Sequence, residues 1–348
     1  MTLVSSPGPL LLARNFRAEG GDPRKLRSAV EDGRLHRLRR GVYVATEVWV
    51  SASREEQALL HVRAFAATAD KQPIFCHQSA ALLHGLPLLR VPDSEVHVIG
   101  RSPSGGRRRD GVRRHQWSLG IPTQEQDGLV MTTRPRTVLD LSAALPFRQA
   151  VVAADAALRA GEDRDRLRRL ADDTGYRAAR RIEKVLGFAS PLAESPGESV
   201  SRALFHQHGL PAPVLQQEFR DTAGFIGRVD FWWPQHGVIG EFDGRVKYGE
   251  RFPGSPEERL WQEKLREDRL RQVSAAVVRW TWNHFTAPER LVDRLRLAGV
   301  RSLAATLGAN RNALRLRIAR AVADCTRGCD VSAGDRGYQE TGSALPSS

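Results

Sequence analysis

The stretch GRVDFWWPQHGVIGEFDG, residues 227–244, constrains the chain more than any other. Two runs rich in β-branched and aromatic residues, RVDFWW and GVIGEFDG, flank the turn-forming segment PQHG. The pattern predicts two strands that fold back on each other and bring Asp230 of the first close to Glu241 of the second. Asp243 lies two residues beyond Glu241, so on a regular strand both project to the same face. Lys247 follows after Gly244, a residue that breaks the strand and loosens the direction of the lysine. Carboxylates gathered on neighbouring strands are what a phosphodiester-cleaving site needs. They hold Mg²⁺, which activates water and offsets charge at phosphorus, and a nearby lysine stabilises the charge that develops. An acidic loop with a basic neighbour explains the same residues without chemistry.

The flanking segments extend the pattern. Ser195 is a good N-cap and Glu198 stands three residues later, so SPGESVSRALFHQHGL predicts a helix whose first turn is closed by a capping box. Capping is therefore the plain role of Glu198. PEERLWQEKLREDRLRQ predicts a long helix with Lys264, Arg266, Glu267 and Asp268 at its centre, and AAVVRWTWNHF a further strand with Arg279 near the edge. A helix glutamate, a strand aspartate, a Glu-x-Asp strand and a lysine-bearing helix thus follow in order.

The other end of the chain is basic. Asp22 and Pro23 open a helix, PRKLRSAVEDG, that stops at Gly33, with Leu26, Ala29 and Val30 on one face. A shorter helix precedes it, and RLHRLRRGVYVA predicts a hairpin turning near Arg40–Gly41. Two short helices followed by a basic hairpin outline a winged helix. Residues 14–40 hold nine Arg or Lys and four acids, and the whole chain of 348 residues carries a formal charge of +13. That excess favours a polyanionic partner, DNA first. Lys25, Arg27, Arg34, Arg37, Arg39 and Arg40 are the residues expected to contact it, on one face of helix and hairpin. A small helical unit with a solvated arginine face is the plainer reading.

Residues 49–190 read as a mixed α+β region. SREEQALLHVRAFAATA, HQSAALLHGLP, RTVLDLSAAL and RQAVVAADAALRAG have helical character; SEVHVIG, GVRRHQWSL and GLVMTT have strand character. His61, His77, His84, His97 and His115 lack the spacing of a metal-binding motif, and polar core or surface roles are expected of them. Cys76, Cys325 and Cys329 are too few for a disulfide framework. The loop RSPSGGRRRDG is basic and glycine-rich. ASPLAESPGES is a linker, and residues 331–348 have the composition of a disordered tail. No apolar run is long enough to span a bilayer, and the N-terminus lacks the basic start of a signal peptide, so a cytoplasmic protein without a membrane partner is expected.

About 110 C-terminal residues resemble the very-short-patch-repair-like branch of the PD-(D/E)XK nuclease superfamily. Glu198 in GES, Asp230 in RVDF, and Glu241 with Asp243 in GEFDG carry the likeness, supported by EKLREDRLR and VVRWTW. Residues 8–45 resemble the N-terminal winged helix of AbiEi antitoxins, on GRLHRLRRGVYV. The middle, with HQSAALLHGLP, RTVLDL and AADAAL, resembles the segment joining two such modules in actinobacterial proteins. The resemblance implies a multidomain chain of α/β and α+β parts: a winged helix over 1–48, an α+β middle over 49–190 and a restriction-endonuclease-like α/β core over 194–306. It also implies that Glu198, Asp230 and Glu241 are metal-side acids, Asp230 and Glu241 holding Mg²⁺, with Asp243 as an auxiliary acid.

One position departs from the superfamily pattern. The lysine expected two residues after the acid is replaced by Asp243, which cannot donate to a phosphate. Lys264, on a helix expected to pack over the sheet, is the favoured replacement and Lys247 the second; pairing of Lys264 with Asp268 at i+4 is its plain role. Two functions remain open. One is a DNA-binding protein that cleaves with Mg²⁺. The other is an antitoxin-like transcriptional regulator with an inactive nuclease fold and a toxin or other protein as partner.

Overall fold

The computed structural model describes residues 10–100, 108–109, 111–116, 120–244 and 255–301. Lys247, most of the basic loop after Gly100, Cys325, Cys329 and the tail 331–348 lie outside them. The described fold is mixed α and β, with three separate sheets.

In the N-terminal part, β1 (Leu11–Leu12), α1 (Ala13–Ala18), α2 (Pro23–Glu31), β2 (Leu35–Arg39) and β3 (Val42–Ala45) follow one another, and the strands pair in the order β1-β3-β2. The Asp22 carboxylate caps α2 by accepting from the Arg24 amide at 2.9 Å. Leu26 and Ala29 are the buried residues of α2. The hairpin does not close on itself alone. After α3 (Thr46–Ser51), the helix α4 (Arg54–Thr68) lays Leu60 and Ala64 against Leu38, Val42 and Val44. A bulge interrupts β2: Arg37 pairs with Tyr43 and Arg39 with Val42, leaving Leu38 as the extra residue.

The middle contains β4 (Ile74–Phe75), α5 (His77–Leu83), β5 (Val96–Gly100), β6 (Arg108–Arg109), β7 (Val112–Gln116), β8 (Thr123–Gln126) and β9 (Leu129–Thr132). Its six-stranded sheet runs β6-β7-β5-β4-β9-β8, with β5 parallel to β7 and β4 parallel to β9. Four helices complete it: α6 (Arg134–Ala144), α7 (Phe147–Arg159), α8 (Arg164–Thr174) and α9 (Ala179–Phe188). Residues 150–158 of α7 are all buried, an alanine-rich helix enclosed on every side. Leu139, Leu141, Val151, Leu167 and Leu186 are among the residues of the core that joins these helices.

The C-terminal part is built from α10 (Pro196–Gln207), β10 (Val214–Asp221), β11 (Gly224–Trp233), β12 (Val238–Phe242), α11 (Pro256–Gln272), β13 (Ala276–Trp280) and α12 (Pro288–Leu297). The sheet order is β10-β11-β12-β13. The first three strands are antiparallel, and β13 joins β12 in parallel, which requires the crossover that α11 supplies. Phe205 of α10 packs edge-on against Phe231, Trp233 and Trp280, forming an aromatic core on one face of the sheet. Gly197 makes the close approach possible: a Cβ there would overlap the Phe242 ring. An ion pair joins α10 to α7. Asp155 of α7, fully buried, accepts from Arg202 of α10 and from the Ser190 amide, both at 2.7 Å. Among the described residues no helix is long and apolar enough to cross a membrane.

Candidate functional site

Strand pairing places the acids. Phe231 lies opposite Gly240 and Trp232 opposite Ile239; one step further along that register, Asp230 lies beside Glu241. Side chains alternate along a strand, so Glu241 shares the face of Ile239, the face from which Leu270 of α11 packs. Asp230 turns one carboxylate oxygen to its neighbour, accepting from the Phe242 amide at 2.8 Å. Asp243 follows the last residue of β12, and its own amide donates to the Trp280 carbonyl at 2.8 Å.

Glu241, 7% exposed, is held by two arginines. Arg266 of α11 donates from Nη2 to Oε1 at 2.6 Å, and Arg279 of β13 places Nη2 2.8 Å from Oε2. Glu263 bridges both guanidiniums, and Glu267 lies 3.6 Å from Arg279. Burial opposes the charge on Arg279, but Glu241, Glu263 and Asp243 outweigh it and raise its pKa above the ordinary arginine value. Arg266 is raised in the same way, its burial more than offset by Glu241 and Glu263.

Glu198 stays at the start of α10. Its Oε1 accepts from the Ser195 hydroxyl at 2.7 Å, and its Oε2 from the Glu194 amide and the Gln216 side-chain amide, both at 2.9 Å. Gln216 reaches it from β10, where its backbone stands at φ +55°. Lys264 is exposed, its ammonium 5.9 Å from the centre of the Trp261 ring. Glu263, Arg266, Glu267 and Leu270 form the stripe of α11 that meets the sheet and its charges, and Lys264 lies off that stripe. Lys247, the other candidate, is outside the described residues. The cations beside Glu241 are therefore arginines. Two local signals pointed to them: an Arg of α11 three residues after Glu263, and an Arg in the apolar strand VVRWTW, where a charge needs a partner.

At the basic end, Lys25, Arg27, Arg34, Arg37 and Arg40 are exposed. Arg34 pairs with Asp32 at 2.8 Å across the open surface. Arg39 differs. Beyond the bulge its guanidinium sits 4.9 Å over the Phe65 ring of α4.

Sequence reasoning passed over a third group. Among the described residues, one set of three or more His, Cys, Asp or Glu places a ligand atom from each within 4.8 Å of the others, and it is Cys76, His77 and His115. The four C-terminal acids do not form such a set. Spacing did not reveal the histidines because neighbouring strands, not a local motif, bring them together.

No protein-family model matches the chain. It is 29% identical over 283 residues to an uncharacterised protein of Mycobacterium tuberculosis, Rv2248 in strain H37Rv and MT2308 in strain CDC 1551; the match covers 78% of this chain and 97% of the relative. Among solved structures, the crystal structure of the Rv2827c protein from Mycobacterium tuberculosis is 16% identical, over 61% of this chain and 83% of that one, with a TM-score of 0.35.

Proposed function

We propose that the chain is a DNA-binding protein in which a nuclease-type C-terminal core serves binding and assembly rather than cleavage. The observation that carries the second half of this reading is the double arginine grip on Glu241. Mg²⁺ sheds its water reluctantly and needs carboxylate oxygens in near-octahedral array. Both oxygens of Glu241 are engaged, one by a charge-assisted hydrogen bond from Arg266 contributing about 1.5–3 kcal/mol and one by the ion pair with Arg279, and two fixed positive charges face any arriving cation. Asp243, where the superfamily has its lysine, adds a further acid instead of a phosphate-side donor. Support for DNA binding comes from the five exposed basic residues of α2, the turn after it and the β2–β3 hairpin, and from the formal charge of +13. In this reading the chain is an antitoxin-like regulator, with operator DNA as one partner and a toxin or other protein as the second.

A second reading keeps Mg²⁺-dependent cleavage. It is favoured by the register that places Asp230 beside Glu241 on adjacent strands. Incubation of supercoiled and branched DNA with Mg²⁺ or Mn²⁺, with Asp230→Ala as control, separates the two. Retarded but intact DNA is the expected outcome. Nicking that disappears in the Asp230→Ala chain overturns the binding-only reading.

A further inference from the structure

We propose that Cys76, His77 and His115 form a binding site for one thiophilic divalent cation of the zinc class, oriented by His97 and Glu95. The site is independent of the C-terminal acids and of the DNA reading. Cys76 follows β4 as the N-cap of α5, His77 opens α5, and His115 lies on β7. The sheet order puts β4, β5 and β7 side by side, and the parallel β5–β7 register sets His97 opposite Arg113 and Ile99 opposite His115. His97, Arg113 and His115 therefore share one face, the opposite one from Val96, Val98 and Val112 of the apolar core.

The hydrogen bonds assign the ring protons. Glu95 Oε1 lies 3.1 Å from His97 Nε2. A carboxylate accepts, so Nε2 of a neutral His97 carries the proton and Nδ1 is left as an acceptor. His97 Nδ1 is 2.9 Å from His115 Nε2, which must then be the donor. The Nδ1 of His115 is then unprotonated, the form a metal requires. A carboxylate–histidine chain behind a ligating imidazole is the arrangement that orients metal ligands. His77 is the second independent observation. Its Nδ1 is buried and has no hydrogen-bond partner, a state that costs desolvation energy unless something occupies it. Its backbone stands at φ +49°, in the left-handed region, where strain gathers at binding sites. Its ring stacks on His115 at 3.6 Å between centroids, tilted by 18°.

The donor set decides the ion. One thiolate and two imidazoles suit zinc and its neighbours and reject Mg²⁺ or Ca²⁺, which take oxygen. Ligand atoms of a tetrahedral zinc site stand about 3.3–3.6 Å apart, given bonds of about 2.0–2.3 Å. The present spread, within 4.8 Å, is wider than that range, and the stacked rings of His77 and His115 must part for both to face one ion. Three protein donors leave a fourth position for water or a ligand.

Cobalt(II) added to the folded, metal-stripped full chain tests the site. The expected result is one cobalt per chain with a thiolate-to-cobalt charge-transfer band, displaced by zinc. Cys76→Ser removes the band, His115→Gln weakens binding at least tenfold, and Glu95→Gln weakens it roughly 10–100-fold through the orienting chain. A Cys325→Ser/Cys329→Ser chain keeps the spectrum. No cobalt uptake by the folded wild type, an unchanged band in Cys76→Ser, or its loss in the double tail variant overturns the proposal. His115→Gln keeps the test decisive if Cys76→Ser fails to fold.

Discussion

Glu241 and Arg279 are direct cross-strand partners on the parallel β12–β13 pair, and their side chains meet at 2.8 Å. Arg266 comes down from α11 onto the other oxygen of the same carboxylate. One acid thus ties together two strands and the crossover helix between them, and its two positive neighbours depend on it for charge balance.

Glu241→Gln leaves Arg266 and Arg279 with Glu263 and Glu267 as partly exposed counter-charges. The expected cost is about 2–3 kcal/mol, below the ~3–5 kcal/mol of a fully buried pair because Glu263 and solvent absorb part of it. Urea unfolding reads it directly, and a double-mutant cycle with Arg279→Gln isolates the pair. A coupling indistinguishable from zero would mean that the clamp adds nothing to stability.

Asp155 holds the middle region to α10 through Arg202, whose side chain is 11% exposed. Asp155→Asn strands that guanidinium in the interface, and stability should fall by about 3–5 kcal/mol. Calorimetry should then show the single transition lowered or split between the helical middle and the C-terminal sheet. A melting curve matching wild type would mean that packing alone joins them.

The basic face divides by orientation. Arg37→Ala/Arg40→Ala removes two exposed cations, and the log–log salt slope of DNA binding should flatten by roughly 0.9 for each phosphate that is no longer neutralised. Arg39→Ala, taken from above the Phe65 ring, should lower stability and leave the slope nearly unchanged. Equal effects of both variants on the slope would contradict the division.

His84 sits with Nε2 2.8 Å from the Thr132 carbonyl. Burial lowers its pKa below the usual histidine value, the carbonyl contact offsetting only part of the effect. The unfolded chain therefore takes up this proton at higher pH than the folded one. The stability is present in full above about pH 6.5, the ordinary value, and declines as pH falls towards the depressed folded value. His84→Gln keeps a donor for Thr132 and removes the titration, so its loss of stability between about pH 7.5 and about pH 5.5 should be smaller than that of wild type. Parallel losses in both chains would place the titration elsewhere.

Local signals carried much of the secondary structure. Asp22 and Pro23, Ser195 three residues before Glu198, and the Pro234–Gly237 turn each act within a few residues, so their helices and hairpin were legible without tertiary contacts. The alternation in RVDFWW and GVIGEF likewise foretold that Asp230 and Glu241 would come to adjacent strands. Arg39 was less accessible to such reasoning, because a one-residue bulge at Leu38 changes its direction and no local composition announces it.

Chain chemistry by itself determined where helices begin, where the hairpins turn, and which strand would carry the acids, since capping, turn geometry and alternation are properties of a few consecutive residues. Only the tertiary structure decided which cation meets Glu241. Lys264 and Arg266 are two residues apart on one helix, and the choice falls to the helix face that packs on the sheet. It likewise decided that Cys76, His77 and His115 converge. Their separation in sequence is bridged by the parallel pairing of β5 with β7 beside β4, and a parallel pair joins segments that no local pattern connects.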